Sequence, residues 1–229
     1  MQSQEATATD FFFKLWPWFE ANLKRIAFAG GAVVILVFLF SFYSYTQKQK
    51  EITAGQALTK VIISSTGTQQ ADAYLKIATE YPGTIAGQRA LLEGATMLFT
   101  TGKLTEAQTQ FQKFLDTYPD NFFTPQALLG MAASLEAQGK TDLAASAYQK
   151  VAGAGSNTSM AANAKFSLAR IYDAQGKFAD ATRLYEEVAR TYPNSSLSNE
   201  AGLRAMELKM KLPAVAAKPA VAAPLNLSK

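Results

Sequence analysis

Histidine and cysteine are both absent from this 229-residue chain. They are the side chains that most often serve as general base, metal ligand or nucleophile near neutral pH. Histidine-dependent triads, thiolate metal sites and disulfides are thereby excluded. Adjacent carboxylates occur, as at Glu186-Glu187, but they read as the solvated side of a helix. No Gly-rich phosphate loop opens a helix, and no serine sits in a nucleophile elbow. The expectation is a non-enzyme with no catalytic residue, cofactor, metal or small-molecule substrate. The chemistry left is contact between surfaces, so the question becomes which elements shape them.

Those elements recur. Gly102-Lys103, Gly139-Lys140 and Gly176-Lys177 stand 37 residues apart each time. Tyr81-Pro82 and Tyr118-Pro119 keep that interval, and Tyr192-Pro193 follows after twice it. A period between roughly 20 and 50 residues marks stacked repeats. The columns between the markers agree: Ala90, Ala127, Ala164 and Ala201; Ala95, Ala132 and Ala169; Ala107, Ala144 and Ala181. An aromatic follows the last set four residues on, at Phe111, Tyr148 and Tyr185. Large apolar residues follow at Phe114, Val151 and Val188, and Leu98, Leu135 and Tyr172 form one more column. Small residues let two helices approach, and positions four apart share a helix face. Each unit is therefore two short helices. Gly-Lys breaks the first, and Tyr-Pro ends the second because proline cannot continue a helix.

Read as Ala95, Leu98, Gly102, Ala107, Phe111 and Pro119, with the same spacing in the following units, the pattern resembles the tetratricopeptide repeat. The period is three residues longer than the common one, and the third unit has Gly155-Ser156 in place of Tyr-Pro. The resemblance implies an all-α solenoid that binds protein partners. It also implies that the first helix of each unit lines a concave groove. The groove-facing motif positions fall on Arg89, Thr96 and Phe99, then Gln126, Ala133 and Glu136, then Asn163, Arg170 and Asp173. An exposed Phe99 beside Arg89 would suit an extended or helical peptide; the alternative is that Phe99 packs under the preceding repeat. The Lys and Asn clamp by which some members hold C-terminal carboxylates is not matched.

Residues 26–45 carry no charge over twenty positions. At about 1.5 Å per residue they reach roughly 30 Å, the thickness of a bilayer's hydrocarbon core. Lys24-Arg25 and Lys48 to Lys50 bracket them. A buried core helix of this length would show a polar face. A cleavable signal would need small residues where Phe42, Tyr43 and Tyr45 stand. The expectation is a permanent transmembrane helix in contact with membrane lipid. Ahead of it, residues 1–25 form a leader, polar and unstructured to residue 10. Its segment 11–25 is aromatic, and Trp16 and Trp18 suit a membrane–water interface; the alternative is a short helix packed on the protein. Within the span, Ala27, Gly30 and Gly31 would let a second transmembrane helix approach, although glycine is also common in membrane helices.

Residues 46–84 read as a degenerate first repeat continuous with the anchor. Leu58 and Val61 stand in the columns of Ala95 and Leu98, and Tyr74 in that of Phe111. Ser64-Ser65-Thr66-Gly67 replaces its Gly-Lys turn. Three clearer units fill 85–195, with Thr105 and Thr141 as expected helix caps and Pro125 in a first turn. A closing helix occupies 196–211, and the alanine- and proline-rich residues 212–229 read as a disordered tail.

Residues 85–195 hold ten basic and ten acidic side chains, and residues 196–229 hold five and two. A neutral repeat body argues against nucleic acid. Lys14, Lys24 and Arg25 precede the span, and Lys48, Lys50 and Lys60 follow it, so positive charge does not orient it. The layout resembles bacterial envelope proteins, above all the single-span ancillary subunit family of the Sec translocon. Its repeat style is similar to periplasmic coordinators of outer-membrane assembly and cell division. That resemblance implies the bacterial inner membrane, a cytoplasmic leader and periplasmic repeats. Three functions are open: a membrane-tethered scaffold holding a partner or an unfolded chain; a fixed subunit of a membrane assembly with no client; and a cytoplasm-facing adaptor.

Overall fold

The computed structural model describes residues 9–64, 67–153 and 159–216, with side chains for 16–63, 69–153 and 159–211. All regular structure among the described residues is helical: α1 (Thr9–Ser64), α2 (Gly67–Glu80), α3 (Ile85–Thr100), α4 (Leu104–Thr117), α5 (Thr124–Ala137), α6 (Thr141–Gly153), α7 (Ser159–Ala174), α8 (Phe178–Thr191) and α9 (Ser198–Ala216). The chain divides into two compact units, Met1–Thr53 and Ala54–Lys229.

In the first unit, α1 begins at Thr9, so residues 9 and 10 are helical where an unstructured leader was expected. It passes Pro17 without a break. Trp16 and Trp18 are exposed. From Val33 to Phe40 every side chain is more than half exposed. α1 is long and apolar enough to cross a membrane.

The second unit is built of hairpins. α2, α4 and α8 stop at the residue before Tyr81-Pro82, Tyr118-Pro119 and Tyr192-Pro193. Gly102, Gly139 and Gly176 have φ of 79°, 74° and 73°, a left-handed conformation that side chains with a Cβ rarely adopt. The lysine after each donates its backbone N–H across the turn, to Leu98, Leu135 and Tyr172, at 2.9 Å each. These are helix-ending bonds that satisfy otherwise orphaned carbonyls. The carbonyls of Lys103, Lys140 and Lys177 then accept the first bonds of α4, α6 and α8. One lysine thus closes one helix and opens the next. This corrects the expected caps: Thr105 lies inside α4, and the Thr141 hydroxyl donates back to the Gly139 carbonyl at 3.3 Å. The hydroxyl cap is Thr84, which accepts from the Gly87 N–H at 2.9 Å.

Sequential helices pack in pairs along the chain from α2 to α9. The core is a chain of clusters. Ala54, Leu58, Val61, Tyr74 and Ile77 start it, Leu92, Leu98, Phe111 and Phe114 continue it, and Tyr148, Leu168, Tyr185 and Leu208 complete it. Half-buried Met97 touches the first two clusters and Met131 the last two. An unbranched thioether fits such irregular seams. α9 extends to Ala216, past the expected end at 211, so residues 212–216 are not tail. The rest of the proposed tail, the Gly155-Ser156 departure and Ser65-Thr66 lie outside the described residues.

Candidate protein-binding groove

Contacts between repeats are unequal on the two sides of the stack. α3 touches α5 and α5 touches α7, whereas α4, α6 and α8 make no contacts of that extent with one another. α3, α5 and α7 are thus the helices that crowd together from repeat to repeat. Every expected groove residue lies on one of the crowded helices: Arg89, Thr96 and Phe99 on α3; Gln126, Ala133 and Glu136 on α5; Asn163, Arg170 and Asp173 on α7.

Their environments differ. Arg89, Thr96, Asn163 and Arg170 are exposed; Gln126, Ala133, Glu136 and Asp173 are half-buried. Phe99 is half-buried and packs against the cluster around Leu98 and Phe111. It is ten residues, about 15 Å along a helix, from Arg89. The two do not form one site.

Two groupings form instead. Glu136 accepts the Tyr148 hydroxyl at 2.8 Å and pairs with Arg170 of the next repeat. Burial and then the Glu136 contact push the Tyr148 phenol well above its ordinary range. Arg170 is held more firmly protonated, first by its hydrogen bond to Glu136. A carboxylate shared by two donors is a clasp between repeats and is spent internally. The second grouping is a cleft of about 360 Å³ lined by Ile85, Arg89, Leu92, Glu93, Phe123 and Gln126. Here Arg89 and Gln126 meet, and Arg89 makes no ion pair or hydrogen bond among the described residues.

Sequence reasoning missed Tyr148 and the other links across the stack. Asn121 donates to Gln88 at 2.8 Å, Gln138 to Gln108 at 3.0 Å, and Gln175 to Asp142 at 3.2 Å. Each joins residues about one period apart, a separation that could have flagged them. Lys165 pairs with Glu187 at 2.6 Å and lies over the Tyr192 ring. Burial opposes the charge on Lys165, but its interactions with Glu187, to which it donates, and with Tyr192 outweigh that and raise its pKa.

On α1, Ala27 and Gly31 line a shallow notch of about 410 Å³ with Phe28, Ala32 and Ile35. Gly30 is exposed and lies outside it. No cluster of three or more metal-ligating side chains occurs among the described residues.

Residues 17–144, more than half of the chain, match the family described as tetratricopeptide repeat-like domain, and residues 129–196 match a tetratricopeptide repeat family. The chain belongs to the tetratricopeptide repeat-like domain family. Its first match begins ahead of the apolar stretch of α1 and includes it. Two solved structures share the fold. One is a T3SS complex from Aeromonas hydrophila, 19% identical, TM-score 0.51, covering 62% of this chain and 96% of that one. The other is described as MamA RS-1 ArsTM double mutant, 15% identical, TM-score 0.52, covering 72% and 97%. No curated protein matches. The tetratricopeptide fold suggests a scaffold for protein–protein interaction.

Proposed function

We propose that this tetratricopeptide protein is a single-pass, membrane-anchored scaffold of the bacterial inner membrane. Its repeats lie in the periplasm and hold a protein partner at a membrane complex, in a translocon-associated or chaperone-like role. The observation carrying this is the exposure of Val33 to Phe40 along α1. A contiguous apolar surface of this kind is unfavourable in water and favourable in lipid. The family match at residue 17 supports a retained segment, since it takes in the apolar stretch. Tethering concentrates the repeats at the membrane, so a loose contact suffices to hold a partner. The notch at Ala27 and Gly31 favours a second reading, in which a helix of a fixed assembly packs there and the repeats have no client.

The chain has no cysteine, so an introduced one is the sole thiol. With Ser198→Cys, an impermeant thiol reagent should label intact spheroplasts. Labelling only after lysis would reverse the orientation and leave the cytoplasmic adaptor. Photocrosslinking from Thr96 and from Gly31 should capture protein. Constant stoichiometry with one complex after mild extraction would favour the fixed subunit, and capture at neither position would sink both readings.

A further inference from the structure

One apolar feature of the repeats is neither buried nor used by the clasps. Ile85 and Phe122 stand one period apart, each at the start of a repeat, and are 60% and 86% exposed. The same column holds Ser159 and Ser196 in the later repeats. Ile85 lines an inter-repeat cleft, and Phe123, the chain neighbour of Phe122, lines it too. The same cleft contains Arg89, Glu93 and Gln126. Phe122 meets Phe123 of the cleft edge-on, with ring centroids 5.5 Å apart.

The loop bearing Phe122 is fixed. Asn121 donates to Gln88 of α3, its side-chain oxygen accepts the Phe123 N–H at 2.9 Å, and its own N–H bonds Thr124 Oγ1 at 3.2 Å. Phe122 is therefore presented outward on a braced turn. Preorganisation of this kind lowers the ordering penalty of binding. In the cleft, the exposed Arg89 guanidinium offers a planar donor fork suited to a carboxylate. Half-buried Glu93, one turn further along α3, would repel that carboxylate and so confine it to the Arg89 side. Gln126 can bond a peptide backbone with both ends of its amide. A lipid surface fits less well, because the cleft is concave and holds Glu93.

We propose that this cleft docks an extended peptide segment carrying a large apolar side chain, seated between Ile85 and Phe122, and a nearby carboxylate paired with Arg89. The proposal rests on the groove reading above and names its partner as an acidic–apolar peptide.

The test uses the full chain in detergent and a short fluorescein-labelled peptide. The peptide has a Leu-Phe pair followed two positions later by Asp in a Gly/Ser background; a second version has Lys for Asp. Phe122→Ser installs the residue of the later repeats at an exposed position and should leave thermal unfolding unchanged. It should weaken binding of the Asp peptide by about tenfold, read by anisotropy. Arg89→Glu should do the same and reverse the preference between the peptides. Equal binding of both peptides by the wild-type chain, or affinities within about twofold for both variants, would overturn the proposal. If binding survives both substitutions and is lost with Thr96→Trp, this cleft fails while the groove reading stands. Tighter association of the wild-type chain than of Phe122→Ser with phosphatidylglycerol vesicles, with no peptide binding, would overturn it in favour of lipid.

Discussion

Phe111 leaves position 130 almost no tolerance. A Cβ added to Gly130 would lie 2.3 Å from the Phe111 ring, which is itself buried. The register explains the pairing. The aromatic column Tyr74, Phe111, Tyr148 and Tyr185 meets the column Glu93, Gly130, Ser167 and Arg204 on the following helices. Three of those aromatics are tyrosines in the field of a polar neighbour: Glu93 acts on Tyr74, Ser167 on Tyr148, and Arg204 on Tyr185. The fourth is a phenylalanine facing a glycine, and its ring occupies the space a side chain would take. Gly130→Ala gains about 1 kcal/mol of helix propensity and loses about 1–3 kcal/mol through overpacking. The ring has no free end to move, so the loss wins, and a net destabilisation of up to about 2 kcal/mol is expected. Gly55 is the control: nothing lies within 4 Å of its added Cβ, and Gly55→Ala should stabilise by up to about 1 kcal/mol. Urea unfolding of the two variants should move in opposite directions; movement in the same direction would mean that Phe111 relaxes.

The hairpins act as links in a line, and α9 is the last helix among the described residues. Its Ala201, Ala205 and Leu208 are buried in the cluster that contains Tyr185 and Val188. A chain stopped after residue 197 would expose that face of α8. In a stack held by nearest-neighbour contacts, such damage falls off along the line. Hydrogen exchange should therefore lose most protection in α7 and α8, less in α5 and α6, and least in α3 and α4; uniform loss would show a single cooperative block. The same locality governs what could be read from the sequence. Tyr-Pro and Gly-Lys act through their own backbones, so the limits of α4, α5, α7 and α8 follow from a few residues. The caps did not follow, because Lys103 and Lys140 begin helices while still bonded to the helices before them, which leaves Thr105 and Thr141 no capping place. Arg89 and Gln126 could be placed on α3 and α5 by register. That Glu136 and Arg170 neutralise each other, and that Phe99 packs inward, depends on side-chain directions across two repeats, which spacing along the chain does not encode.

At the scale of the whole molecule, the two units place opposite demands on solvent. Residues from Ala54 onward gather many of their large apolar side chains into a continuous series of clusters, with Ile85 and Phe122 among the exceptions, and satisfy every buried side-chain polar atom among the described residues. The unit Met1–Thr53 does the reverse. Phe28, Phe38 and Phe40 are 84%, 69% and 72% exposed, and no cluster gathers them. At roughly 25 cal/mol per Å² of apolar surface, and on the order of 100 Å² for each such side chain, every large residue of the stretch favours a hydrocarbon environment by about 2–3 kcal/mol. Summed over its eight or so large side chains, that preference exceeds the stability of a typical domain. Partition between water and a clouding detergent measures it directly. The full chain should collect in the detergent phase. A chain of residues 54–229 should remain in water, with the same helical signal per residue for the repeats and the same response to Gly130→Ala. Three lysines in place of Val34, Phe38 and Phe42 should return the full chain to water without altering repeat unfolding. If the full chain stays in the aqueous phase as a monomer, the apolar face of α1 must be covered by part of this protein, and the anchor is lost from the account. If residues 54–229 fail to fold alone, the repeats depend on the unit Met1–Thr53, and the division into two units is not an energetic one.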